Sequence, residues 1–91
     1  MKNEMSPVNC ARLTELGLAI CALRRYRGLS QAQLAERAGV SKALISAIEA
    51  PGSAKSFSLE TFYNIADALG IEPEKLLGAP EQFESLFHPE T

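Results

Sequence analysis

Histidine, cysteine and tryptophan are scarce in this 91-residue chain, which contains one, two and none of them respectively. The single histidine, His88, lies near the end of the chain beside Pro89 and Glu90, where side chains are usually solvated. No paired nucleophile and base, no cluster of metal ligands and no phosphate-binding glycine loop is present in the sequence. The sequence therefore argues against an enzyme, and we expect no cofactor and no bound metal.

The two cysteines, Cys10 and Cys21, match no zinc or redox spacing. We therefore expect free, reduced thiols in a cytosolic protein, with a redox-sensing pair as the alternative.

Long apolar runs are also missing. The run at residues 16–23 has only Lys2 as upstream charge, Glu15 directly before it, and a length too short to span a bilayer. Ile20 is too large for the position before a lipidated cysteine. We therefore expect a cytoplasmic protein without a membrane anchor.

The net charge of −2 is small, but it is unevenly distributed. Residues 1–58 carry eight basic and four acidic side chains, whereas residues 59–91 carry one basic and seven acidic ones. This asymmetry is expected of a protein that presents one face to phosphate groups. Chance segregation of solvated charges is the alternative interpretation.

The apolar pattern predicts an all-α chain. Alanine and leucine are abundant, β-branched residues are few, and apolar positions recur at steps of three and four. Ser30, Ser41 and Ser58 are suited to begin helices, and Gly28, Gly39 and Gly70 to end them. Helices are predicted at residues 11–27, 31–38, 42–50, 59–69 and 73–77, and residues 81–87 suit one more short helix. Residues 1–10 are then a flexible arm, in which Pro7 discourages helix, residues 11–78 one domain, and residues 79–91 a tail.

Residues 29–49 have the spacing of two short helices joined by a tight turn. Ala35 is small enough for the helices to cross closely, and Gly39 allows a positive φ in the turn. Val40 and Ile45 are apolar and fill the joint between the helices. Such a bihelical unit presents the start and one face of its second helix to the major groove of DNA.

Residues 16–77 resemble the Cro/CI-type (XRE) family of bacterial and phage regulators. The resemblance rests on Leu23-Arg24, Arg27-Gly28-Leu29-Ser30-Gln31, Leu34-Ala35, Ala38-Gly39-Val40-Ser41, Ile45-Ser46, Ile48-Glu49, Leu59-Glu60-Thr61, Ile65-Ala66 and Ala68-Leu69-Gly70. It implies a five-helix, lambda-repressor-like DNA-binding domain that acts as a homodimer on a palindromic operator.

The resemblance also implies roles for individual residues. Gln31 matches a glutamine that meets a phosphate through its backbone N–H and its amide, although it can equally be a plain first residue of a helix. Ser41 caps the recognition helix and can reach phosphate. Lys42 stands at a base-reading position, where its ammonium can donate to guanine or contact phosphate alone.

Two positions depart from the family pattern. Ala43 and Ala47 stand where relatives often carry long polar side chains, so they can only touch thymine methyl groups or permit close approach. More of the DNA sequence specificity must then come from Ser46, Lys42, an arm or the shape of the DNA. The loop after the third helix is about two residues longer than the family suggests, and Lys55 is its best candidate for a phosphate contact or is simply an exposed lysine.

Arg24 and Glu49 match a family pair that joins the first helix to the end of the third. The resemblance implies a partly buried, bidentate ion pair that holds the recognition helix in place, as against two independently solvated side chains.

Apolar residues near the end of the chain exceed what a five-helix core needs. An isologous homodimer is predicted through helices four and five with help from the tail. Its candidate residues are Tyr63, Leu76, Leu77, Phe83, Leu86 and Phe87. Alternatively, Phe83 and Phe87 fold back onto their own core.

Two functions fit these expectations. One is a transcriptional regulator that binds double-stranded DNA, and specifically a repressor of its own promoter. The other is an antitoxin or adaptor that mainly binds a protein partner, with DNA binding secondary.

Overall fold

The computed structural model describes the backbone of residues 4–87 and the side chains of residues 4–80, and over this range it is helical without strands. The five helices are α1 (Pro7–Tyr26), α2 (Gln31–Ala38), α3 (Lys42–Glu49), α4 (Leu59–Leu69) and α5 (Pro73–Phe87). The predicted all-α fold class is confirmed. In the described part of the chain, no helix combines the length and the apolar character needed to cross a membrane.

One hydrophobic core holds the helices together. Helix α1 packs against α3 and α5, while α2 packs against α3 and α4. Burying a large aliphatic side chain contributes about 1.5–3 kcal/mol, so a few such residues dominate the favourable free energy. The largest fully buried side chains are Ile20, Leu34, Ile45, Ile65, Leu69 and Leu76.

The helix ends follow the predicted capping residues. The hydroxyl oxygens of Ser30, Ser41 and Ser58 each accept a hydrogen bond of 3.0 Å from the backbone N–H three residues later. Gly39 and Gly70 adopt the left-handed conformation that ends α2 and α4, with φ of 71° and 69°. Each serine cap contributes about 1 kcal/mol, so the positions of α2, α3 and α4 are largely set by local chemistry.

The start of α1 differs from the prediction. The helix begins at Pro7, because Ser6 caps it by accepting a hydrogen bond from the N–H of Asn9 at 3.1 Å. Proline is well tolerated in the first turn, where its missing N–H would have no helical partner. The prediction of a flexible arm through Cys10 was therefore wrong over residues 7–10.

Gly17 brings α1 and α3 into backbone contact. A Cβ atom at this position would collide with the carbonyl oxygen of Ile48 in α3. Only glycine leaves room for that approach, because it has no side chain. The middle of α1 is thus placed directly against α3.

Helix α5 continues through Gly78 and Pro80, where the sequence analysis placed a break. Proline cannot donate the helical hydrogen bond to the carbonyl of Leu76, so propensity disfavours this continuation. Burial compensates, because Leu76 is fully buried and Ala79 is 3% exposed. The assignment of Leu76 to a dimer interface was accordingly wrong, since its side chain belongs to the core of its own domain.

The two cysteines lie on the same helix. Cys10 and Cys21 are both half-buried, free thiols in α1. They are eleven helical positions apart, which separates them by about 16 Å along the axis, far beyond the reach of a disulfide. The alternative of a redox-sensing pair within one chain is thereby excluded.

Candidate nucleic-acid interface

The turn between α2 and α3 has the geometry that the glycine spacing predicted. The N–H of Val40 donates to the carbonyl of Ala35 at 3.0 Å, which closes the end of α2. Ala35 is 3% exposed and Ile45 is fully buried, so the two helices meet through small and aliphatic side chains. The bihelical unit is therefore packed on its inner side and open on the other.

Helix α3 has one face in the core and one in solvent. Ile45, Ile48 and Glu49 are buried on the inner face. The opposite face is exposed and presents a cation, hydroxyl groups and a methyl group, while Ala47 is half-buried beside it. The exposed residues are Ser41, Lys42, Ala43 and Ser46. This face can donate and accept hydrogen bonds and contact apolar groups.

The loop after α3 is tied to the helix end. The hydroxyl of Ser53 donates to the carbonyl of Ala47 at 2.5 Å, and its N–H donates to the carbonyl of Ala50 at 3.1 Å. These bonds satisfy carbonyl groups that lose their helical partners where α3 ends. Ala54 follows in a left-handed conformation, with φ of 49°, and Lys55 is exposed beyond it. The loop therefore presents Lys55 from a backbone anchored to α3.

Arg24 and Glu49 form a buried, bidentate ion pair. The Nε atom of Arg24 lies 2.8 Å from Oε2 of Glu49, and its Nη2 atom lies 2.9 Å from Oε1. The Nη1 atom donates to the carbonyl of Leu29 at 2.6 Å, and Cys21 Sγ lies 3.7 Å from Nη2. The pair joins the end of α1 to the end of α3, as the family resemblance implied.

Both partners of this pair are held in their charged forms. The hydrogen bond to Glu49 raises the pKa of Arg24 above its ordinary value, although burial opposes that effect. Burial by itself would raise the pKa of Glu49, but hydrogen bonds from Arg24 and Gln31 outweigh it and hold the pKa below its ordinary value. The cluster is therefore an ion pair at neutral pH.

Gln31 makes a contact that the sequence analysis did not predict. Its amide Nε2 donates to Oε1 of Glu49 at 3.1 Å. Gln31 is the first residue of α2 and Glu49 is the last of α3, so no short-range spacing connects them. The sequence feature that could have indicated this contact is a polar residue at the start of α2, together with the ion pair that the family resemblance implied.

The basic residues do not all converge on α3. Arg27 donates from Nε to the carbonyl of Leu69 at 2.8 Å, at the end of α4. Arg37 lines the same pocket as Arg27 and Asp67. Arg12 donates to the side chain of Asn9 within α1. The charge asymmetry of the sequence therefore overstates how basic the α3 surface is.

The dimer candidates separate into three groups. Tyr63 and Leu77 are exposed to 47% and 63%, so both are available to a second copy. Leu76 is buried, as described above. The side chains of Phe83, Leu86 and Phe87 lie outside the described residues, as does His88.

Comparisons with known proteins agree with this geometry. A family model described as a helix-turn-helix domain matches residues 15–77. The chain is similar to a solved structure, the restriction-modification controller protein C.AhdI from Aeromonas hydrophila, with a TM-score of 0.67 and 35% sequence identity. That match covers 72% of this chain and 97% of the other. No curated protein matches the chain.

Proposed function

Because the chain belongs to the helix-turn-helix domain family and is a DNA-binding regulator of transcription of the Cro/CI type, we propose that it is a homodimeric repressor. Its target is a palindromic operator within its own promoter. The observation that carries this proposal is the solvent-exposed face of α3, a helix that a buried ion pair holds in place at its end. The similarity to a restriction-modification controller protein supports a regulatory role.

The exposed residues divide between base reading and phosphate contact. Lys42 is the base reader, because its ammonium can donate to guanine O6 and N7 in the major groove. Ser46 adds a hydroxyl on the same face, while Ala43 and Ala47 permit close approach or touch thymine methyl groups. Ser41, Lys55 and the backbone N–H of Gln31 contact phosphates, which fix the position of the domain without reading sequence.

A homodimer reads two such half-sites. Helix-turn-helix dimers align their recognition helices about one helical turn of DNA apart, so operator symmetry mirrors protein symmetry. Tyr63 and Leu77 supply exposed apolar surface for an isologous contact. In this proposal Phe83, Leu86 and Phe87 of the tail extend the contact.

Selection of binding sites from random DNA tests the regulator. The wild type should enrich a two-fold symmetric site, and Lys42→Ala should lose preference at one guanine position in each half, at about 1–3 kcal/mol per half-site. Lys75→Ala is the matched control, because Lys75 is an exposed lysine on α5 and should leave the site unchanged. Failure of the wild type to enrich any symmetric site would refute the proposal, and an unchanged preference in Lys42→Ala would refute the role of Lys42.

Sedimentation tests the dimer. The wild type should sediment as a dimer at micromolar concentration, and Leu77→Glu should convert it to a monomer. Leu18→Glu is the control, because Leu18 on α1 is an exposed leucine of comparable exposure, 51%. A wild-type monomer would contradict the dimer. Co-purification with an untagged partner, without an enriched DNA site, would favour the antitoxin or adaptor.

A further inference from the structure

The amide of Gln31 closes the open end of the helix-turn-helix unit. Helices α2 and α3 are joined at one end by the turn at Gly39. Gln31 and Glu49 are the two residues farthest from that turn, and their side chains meet at 3.1 Å. The pair of helices is therefore connected at both ends, by the chain at one and by a hydrogen bond at the other.

We propose that Gln31 is a positioning residue whose side chain acts on the recognition helix through Glu49, and that only its backbone N–H contacts a DNA phosphate. This inference rests on the proposed DNA-binding function and differs from the direct amide-to-phosphate contact that the family resemblance implies. Its consequence is that Gln31 influences which sequence is bound, although it touches no base.

The surroundings of Glu49 favour this assignment. The side chain of Glu49 is 3% exposed, and Oε1 accepts from both Arg24 and Gln31. Turning the Gln31 amide toward a phosphate would remove one of those donors from a buried carboxylate, which water cannot easily replace. The phosphate, by contrast, is solvated and can be met by N–H groups in the first turn of α2.

The same contact helps to set the angle between the helices. The turn and the buried side chains of α2 and α3 hold the two helices together, and the hydrogen bond adds a connection at their far ends. Arg24 reaches Glu49 from α1, so within the described part of the chain the side chain that joins the Glu49 carboxylate to α2 is that of Gln31. The orientation of α3 relative to the phosphate-binding start of α2 therefore depends in part on Gln31.

Binding of specific and non-specific DNA distinguishes positioning from direct contact. Removing a phosphate contact weakens binding almost equally for all sequences. Gln31→Ala should instead weaken binding to the selected operator by about tenfold, the scale of a hydrogen bond to a charged group, and change binding to random duplex by less than about twofold. Gln33→Ala is the matched control, because Gln33 is a glutamine of the same helix that serves only the cap at Ser30. Equal losses on both DNAs in Gln31→Ala would overturn the proposal.

The variant Gln31→Glu gives a second test. It places a second carboxylate against the buried carboxylate of Glu49, so it should lower the free energy of unfolding in urea without DNA as well as weaken specific binding. Loss of a direct phosphate contact would weaken binding without changing the free energy of unfolding. An unchanged stability in Gln31→Glu would therefore overturn the proposal.

Unfolding without DNA separates this inference from the proposed function. A double-mutant cycle of Gln31→Ala and Glu49→Gln in urea should show coupling between the two positions. Additive effects would refute the contact while leaving DNA binding intact. Failure of the wild type to select DNA would refute the proposed function, and the coupling would still be measurable.

Discussion

Replacing Glu49 with alanine should destabilise the protein far more than the loss of an ordinary surface carboxylate. The substitution removes the acceptor for Nε and Nη2 of Arg24 and for the amide of Gln31. The side chains of Arg24 and Glu49 are 9% and 3% exposed, so little water reaches the guanidinium that remains. Glu49→Ala therefore leaves a buried charge without its partner.

The expected loss is about 3–5 kcal/mol, the usual effect of removing one member of a buried ion pair. Domains of this size unfold with about 5–15 kcal/mol, so the variant retains only a fraction of the original stability. Each kcal/mol corresponds to about 4–8 °C in Tm for chains of this length, and the shift should therefore exceed 10 °C. Residual bonding of Arg24 to the carbonyl of Leu29 favours the lower end of this range.

Urea unfolding followed by circular dichroism measures the loss, with Lys75→Ala as the comparison. Lys75 pairs with Glu72 at 3.6 Å, but both side chains are about two-thirds exposed, so its removal should cost less than about 1 kcal/mol. The double variant Arg24→Met with Glu49→Leu should recover most of the stability, because it removes both charges together. A loss in Glu49→Ala no larger than that in Lys75→Ala would refute the burial argument.

Three further substitutions or conditions have definite expected outcomes. Gly17→Ala should destabilise the fold by about 1–3 kcal/mol or more in thermal unfolding, because the new Cβ atom meets the carbonyl of Ile48. Gly78 has open space around it, so Gly78→Ala should instead stabilise the fold by about 0.4–1 kcal/mol. Equal effects at the two glycines would contradict the close approach. Acid titration should reveal Glu49, whose folded pKa lies below its ordinary value of 4.5. The stabilisation that ionised Glu49 gives the folded state is fully present above pH 4.5 and is lost as pH falls through the lower folded pKa. Glu49→Gln should therefore reduce the dependence of the free energy of unfolding on acid pH. Ser58→Ala should cost about 1 kcal/mol by removing the cap of α4, and an unchanged Tm would contradict that role.

Local chemistry explains why the central helices could be predicted from the sequence. The serine caps and terminal glycines of α2 and α4 contact backbone groups only three or four residues away. A short stretch of sequence is therefore enough to predict where these helices begin and end. The contact of Arg24 with Glu49 spans 25 positions and was expected only because of the family resemblance. The helices and the ion pair that support the candidate interface could therefore be predicted from the sequence and its family resemblance.

Other features depend on packing that no local pattern records. Helix α5 runs through Pro80 because Leu76 and Ala79 are buried beside it, which overrides propensity. The collision that makes Gly17 necessary involves a backbone carbonyl in another helix. The Gln31 contact joins opposite ends of two helices. Each of these features depends on a residue that is distant in sequence or on burial in the core, so no local sequence pattern predicts it.

The division of α3 into a buried and an exposed face has a consequence for changing what the protein recognises. Ile45, Ile48 and Glu49 hold the helix, whereas Lys42 and Ala43 lie in solvent and carry none of that packing. New side chains at the exposed positions can therefore be tried with little penalty to folding. The small Ala43 leaves room for a longer residue, so under the proposed function single substitutions there can change the preferred DNA sequence while the domain stays intact.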